Sequence, residues 1–237
     1  MSEERPAAPE SDPEPAARTV REFSPEMLDT APADRRLDFE RGMRYDAPAT
    51  LAVIALCSAV FAWQVVSGGL ESDEALVNSG ALVTDRLSGG EVWRLVTSMF
   101  LHGNLQHLVG NMIALYILGM ACEHAFGWAT MLGIYAAAGI AGGVASALAV
   151  KLPTVGASGA IFGLMGCVVA MLARRRRELH VRDGRIGFVL ALWTAWQLVE
   201  GFLSPMVANM AHLGGLVAGA LLGWIIVPRL LAASADD

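Results

Sequence analysis

Five runs free of Asp, Glu, Lys and Arg, at residues 47–70, 95–122, 125–150, 152–173 and 201–228, govern what this chain can fold into. Each is long enough for a bilayer-spanning helix, which needs about 20 apolar residues. A weaker run at 186–199, followed by Glu200, makes a sixth. With 54% hydrophobic and 17% charged residues and a mean hydropathy of +0.48, the chain is too apolar for an ordinary soluble domain. The fold expected is an all-α polytopic membrane protein of six spanning helices.

The net charge of -6 belongs mostly to the N-terminus, because residues 1–46 carry twelve acidic and seven basic side chains. That segment is rich in Pro, Ala and Glu and shows no apolar periodicity, so it is expected to be a disordered acidic tail. The membrane domain is expected over 47–232, with a short C-terminal tail at 233–237. A secretory signal is disfavoured, since the first apolar run follows more than forty polar residues and exceeds a signal's apolar core. Cys57, Cys122 and Cys167 all lie in apolar runs and read as buried free thiols. Basic residues precede the first span (Arg35, Arg36, Arg41, Arg44), follow the fourth (Arg174, Arg175, Arg176, Arg177) and follow the sixth (Arg229). Alternating spans place all three clusters on one side, which the positive-inside rule makes cytoplasmic, with both termini. The location expected is the cell membrane. Residues 71–100 then form an external loop containing Trp93, a residue suited to the headgroup level. Basic residues are few and confined to membrane flanks, so nucleic acid is not an expected partner. No internal repeat, Gly-rich phosphate loop or HEXXH zinc signature is present.

Polar groups inside spanning helices are costly, which singles out His102, His107, Asn111, Ser158 and His212. Each has a plain reading, as a small packing residue or a hydrogen-bonded helix link. Depth favours a chemical one. Ser158 stands 16 residues before Arg174, about 24 Å at about 1.5 Å per residue, in a hydrocarbon layer about 30 Å thick. His212 stands 16 residues before Pro228 on a helix of the same direction, hence at nearly the same level. The second span is read as antiparallel to the fourth, starting near residues 104–107, with Asn111 four residues below His107 on one face. A serine hydroxyl becomes a nucleophile when a base within hydrogen-bond reach takes its proton. Gly159 and Gly163 on one helix, and Gly215 and Gly219 on the other, permit the close approach that two short side chains require. Ser158 is expected at a helix N-terminus, where unpaired amides favour a developing oxyanion, with His107 and Asn111 as further donors. No carboxylate lies near His212 in sequence, so a Ser158/His212 dyad is expected, with Phe162 as a ring to orient the imidazole. No metal or other cofactor is invoked.

Three segments, EVWRLVTSMFLHGNLQHLVGNM (91–112), GASGAIFGLMG (156–166) and ANMAHLGGLVAG (208–219), together resemble the rhomboid intramembrane serine proteases, in that family's order. The resemblance covers residues 47–230. It implies the six-helix rhomboid fold, Ser158 as nucleophile, His212 as general base, and His107, Asn111 and the Ser158 amide as oxyanion donors. It also implies that substrates are transmembrane proteins cut in or near a membrane segment. Trp93 and Arg94, and Glu123 with Gly127, match elements of structural role. Phe162 stands where many members have tyrosine. By analogy, residues 204–210 form a mobile cover over the cavity. Two alternatives compete: an inactive rhomboid-like protein that binds membrane clients, and a transporter using its histidines for protons or metal. Inactive relatives typically lack the serine or the histidine, and a transporter calls for carboxylate partners at mid-membrane that this sequence does not offer.

Overall fold

The computed structural model describes residues 36–43, 46–149, 152–181 and 209–233, with residues 195, 197 and 199. Among them, four stretches are long and apolar enough to cross a bilayer: Pro48–Val66, Leu105–Phe126, Trp128–Ala149 and Asn209–Leu231. In chain order the helices are α1 (Pro48–Val66), α2 (Asp73–Asn78), α3 (Thr84–Ser88), α4 (Arg94–Thr97), α5 (Leu105–Phe126), α6 (Trp128–Ala149), α7 (Ser158–Arg174), α8 (Asn209–Ile225) and α9 (Arg229–Ala233). Two short strands, β1 (Leu37–Asp38) and β2 (Leu179–His180), pair in parallel. The protein is a mostly helical integral membrane protein.

The ends of α1 are tied to α5 and to the segment before it. Pro48 opens α1, where its missing N–H costs nothing, but the next amides still need acceptors. Glu123 of α5 supplies them: Oε1 accepts from the Ala49 amide at 3.2 Å, and Oε2 from the Thr50 amide at 2.9 Å and the Thr50 hydroxyl at 2.8 Å. A carboxylate there also complements the helix dipole. At the far end of α1, Gln64 Oε1 accepts from the His102 amide at 3.0 Å, and Gln64 Nε2 donates to the His102 carbonyl at 3.3 Å.

The loop from α1 to α5 is folded around Arg94. Its guanidinium donates to Glu91 at 2.6 Å and to the carbonyls of Val77 and Ala81, and stacks on Trp93. The hydrogen bond from Arg94 holds the Glu91 carboxyl below its ordinary range. Ser72 caps α2 by accepting from the Ala75 amide. Leu82 and Thr154 exchange backbone hydrogen bonds at 3.0 and 2.8 Å, so this loop is sewn to the segment leading into α7.

Helices α6, α7 and α8 pack through backbone rather than side chains. A Cβ on Gly215, Gly219 or Gly223 of α8 would overlap the carbonyl oxygen of Gly159, Gly163 or Cys167 of α7, respectively. The spacing of four residues keeps all three on one helix face. On α6, a Cβ on Gly142 would lie 2.5 Å from the Ala211 carbonyl oxygen. Such close approach gives the helices extensive dispersion contact in a medium that offers no hydrophobic drive.

Several expectations are corrected. The second span is not antiparallel to the fourth: Gly156, before α7, lies against His107 in the first turn of α5, so both helices start at the same end of the bundle. Residues 95–104 belong to α4 and a connecting segment, because Asn104 caps α5 by accepting from the His107 amide at 2.8 Å. Apolarity alone does not separate such a partly buried segment from a spanning helix. Residues 36–43 are folded, not part of a tail. Phe39 is buried and its carbonyl accepts from His124 Nε2 at 2.9 Å, contacts to residues far away in sequence. Residues 1–35, most of the weak run 186–199, and residues 204–208 of the expected cover lie outside the described residues. Asn209 and Met210, the end of that expected cover, are the first turn of α8.

Gly219→Val should force α7 and α8 apart and lower the melting temperature in detergent, since overpacking costs about 1–3 kcal/mol or more. Gly133→Ala on α6, where a Cβ meets nothing within 4 Å, should hold or slightly raise it. Equal behaviour of the two variants would refute the packing account.

Candidate active site

The approach to Ser158 is fixed on both sides before the helix begins. Gly156 has φ +123°, a conformation that favours glycine, and its amide donates to the Ser98 carbonyl at 2.9 Å. A Cβ there would lie 2.7 Å from His107 Cε1, 2.8 Å from His107 Nε2 and 3.5 Å from Asn111 Nδ2. Glycine therefore lets this backbone settle against both side chains. Two residues later α7 starts at Ser158, so the first-turn amides of Ser158, Gly159 and Ala160 face outward with no helical acceptor.

Ser158 Oγ lies 2.8 Å from His212 Nε2. Ser158 is 7% exposed and His212 3%. The two residues come from α7 and α8 at the top of the glycine seam, where Gly215 meets Gly159. With the hydroxyl as donor, the neutral imidazole carries its proton on Nδ1, for which no partner exists among the described residues. Orientation comes from Phe162, one turn along α7, whose ring stacks on His212 at 4.4 Å between centroids and 4° between planes. A parallel contact of this kind holds a ring plane without engaging either nitrogen.

Asn111, 1% exposed, has an Nδ2 without a partner among the described residues, and it lines the same cavity as Ser158, His107 and His212. That cavity has a volume of about 850 Å³ and reaches from the α7 N-terminus to Glu71, before α2, and Asp73, the first residue of α2. An unpaired buried amide donor is costly unless something in the cavity accepts from it. His102 sits outside the group: it is fully buried with its ring edge to the His107 ring at 5.2 Å. Among the described residues, no three His, Cys, Asp or Glu side chains converge as metal ligands would.

Ser158, His212, His107, Asn111 and Phe162 thus meet in one place. The sequence reading missed Gly156 as the residue that seats His107, and Ser98 as the acceptor that holds Gly156. A glycine two residues before a candidate nucleophile is the signal that could have raised the first. The second involves a carbonyl, which no residue type announces.

The family model described as Rhomboid domain matches residues 89–229, more than half of the chain and every residue of this site. The chain belongs to the rhomboid family. This rhomboid is 37% identical over 170 residues to rhomboid protease GluP of Bacillus subtilis (strain 168), which is 72% of this chain and 33% of GluP. It is 32% identical over 214 residues to rhomboid protease AarA of Providencia stuartii, covering 77% of this chain and 74% of AarA. Against RHOMBOID-like protein 5 of Arabidopsis thaliana it is 37% identical over 155 residues, 63% of this chain and 49% of that protein. The rhomboid described here therefore spans a third of GluP and half of RHOMBOID-like protein 5.

Gly156→Ala should strain the backbone and push against the His107 ring, destabilising the fold by about 1–3 kcal/mol. Thermal unfolding beside Gly103→Ala, where the only neighbour of a Cβ is 4.0 Å away, measures it. Equal stability of the two variants would mean that the His107 contact does not constrain the site.

Proposed function

We propose that this rhomboid is an intramembrane serine endopeptidase that cuts transmembrane proteins in or near their membrane segments. The 2.8 Å contact between Ser158 Oγ and His212 Nε2, buried at the wall of a cavity, carries the reading. His212 takes the hydroxyl proton as Ser158 Oγ adds to the scissile carbonyl carbon. The oxyanion is met by the Ser158 amide, Asn111 Nδ2 and His107. On collapse the C–N bond breaks and His212 returns the proton to the leaving amine. Water, with His212 again as base, then releases the acyl group from Ser158.

Helix α7 has 17 residues, about 25 Å at about 1.5 Å per residue. That is shorter than a hydrocarbon layer of about 30 Å. With its Arg174 end at one boundary, the Ser158 end lies inside the bilayer. A substrate helix hides its carbonyls in its own hydrogen bonds, so it must unwind locally to be cut. The proposal includes six spans, the fifth from the run at 186–199, and a membrane domain over 47–232. It places the protein in the cell membrane with both termini cytoplasmic. The named rhomboid proteases among its relatives support the activity.

Ser158→Ala and His212→Ala should each abolish cleavage of a model transmembrane substrate while leaving the melting temperature nearly unchanged. Asn111→Ala should lower kcat by about 10²- to 10³-fold, the loss typical of one oxyanion donor, with little change in substrate binding. Cleavage by either dyad variant would sink the proposal. A destabilised but fully active Asn111→Ala protein would remove Asn111 from the site.

A further inference from the structure

At the end of the bundle away from Ser158, a second cavity of about 290 Å³ is lined by Leu37, Asp38, Arg41, His124, Arg229 and Leu230. It joins the segment around β1, the last turn of α5 and the start of α9. Its charged groups are two guanidiniums and one carboxylate, and Asp38 Oδ1 already accepts from the Glu40 amide at 3.0 Å. His124 Nε2 donates to the Phe39 carbonyl at 2.9 Å. Arg229 lies along the α5–α6 turn: its Cδ and Nη1 are within ordinary contact, 3.6 Å, of where a Cβ on Gly127 would stand. Among the described residues neither Arg41 nor Arg229 has a carboxylate partner.

Two exposed tryptophans fix the level of this cavity in the membrane. Trp128 follows Gly127 directly, and Trp224 carries the Arg174 guanidinium over its ring at 5.2 Å. Trp63 and Trp93, also exposed, lie at the other end, near the close of α1 and in the loop beside Arg94. Exposed tryptophans at both ends of a helical bundle mark the two headgroup layers. The cavity sits in the layer that also holds Arg174, Arg175, Arg176 and Arg177, the side with the excess of cations.

We propose that the cavity between Arg41 and Arg229 binds a phosphate-bearing anion, and that its source is the headgroup of an anionic phospholipid. Two exposed guanidiniums that line one cavity and have no carboxylate partner among the described residues match a phosphate with paired N–H donors. Basic recesses between spanning helices on the cytoplasmic side are suited to such headgroups. Bound there, the lipid ties β1 and its turn to the α5–α6 junction and to α9, joining segments far apart in sequence at the membrane surface.

The test uses the full chain, delipidated in neutral detergent, with melting temperature as the readout and phosphatidylglycerol, phosphatidylcholine and inorganic phosphate as separate additions. Phosphatidylglycerol should raise the melting temperature by several degrees and phosphatidylcholine should not. Arg41→Gln and Arg229→Gln should each reduce the shift, and the double variant should abolish it. Arg176→Gln with Arg177→Gln removes the same charge in the same layer and should retain it. Equal loss in that control, an undiminished shift in the Arg41 and Arg229 variants, or an equal shift from phosphatidylcholine would overturn the site. An equal shift from inorganic phosphate at the same concentration would overturn the lipid as its source. Should the double variant not fold, the two single variants still decide the matter.

Discussion

The backbone contact between α7 and α8 is the constraint on which the site depends. Ser158 and His212 are both short, so a 2.8 Å hydrogen bond between them requires helix axes closer than ordinary side chains permit. Gly215, Gly219 and Gly223 provide that approach by leaving the carbonyls of Gly159, Gly163 and Cys167 directly against α8. A methyl group at any of the three would separate the pair. The same seam aligns Phe162 with the imidazole, one turn along α7 from the hydroxyl. Packing and chemistry are here one arrangement, with stability supplied by close backbone contact.

A second set of contacts fixes what the seam alone does not. Arg94 gathers the carbonyls of Val77 and Ala81, and the Leu82–Thr154 bridge passes that order to the segment before Ser158. Gln64 holds the His102 backbone, and the Asn104 cap then sets where α5 begins, which places His107 and Asn111. Glu123 secures the opposite end of α1. Buried polar groups in this bundle mostly serve the backbone, as a medium without water demands. Two of the buried polar atoms without a partner among the described residues, Asn111 Nδ2 and His212 Nδ1, lie at the candidate site, where an incoming carbonyl or solvent in the cavity supplies what the protein withholds.

Much of this was legible because membrane sequences carry few signals and strong ones. Charge-free runs located α1, α6 and α8, and small residues four apart identified two of the three glycine contacts on α8. The meeting of Ser158 with His212 followed from counting residues to Arg174 and Pro228, since helix rise is nearly constant. Other features depend on backbone groups or distant partners, which residue type does not reveal. The run at 95–122 did not disclose that its first third is α4 and a partly buried connection, because the core and lipid select the same side chains. The fold of residues 36–43 rests on Leu179, His180 and His124, none of which local composition indicates. Strict alternation of spans requires the second and fourth to run the same way, as α5 and α7 do.

The central claim is that the seam makes Ser158 nucleophilic through His212. Covalent labelling by a fluorophosphonate in native membranes, with the modified residue located by peptide mapping, tests it most directly because it needs no knowledge of the substrate. The account predicts an adduct on Ser158 that disappears in His212→Ala. No adduct on Ser158 in the wild type, or labelling of Ser158 at the same rate without His212, would contradict it.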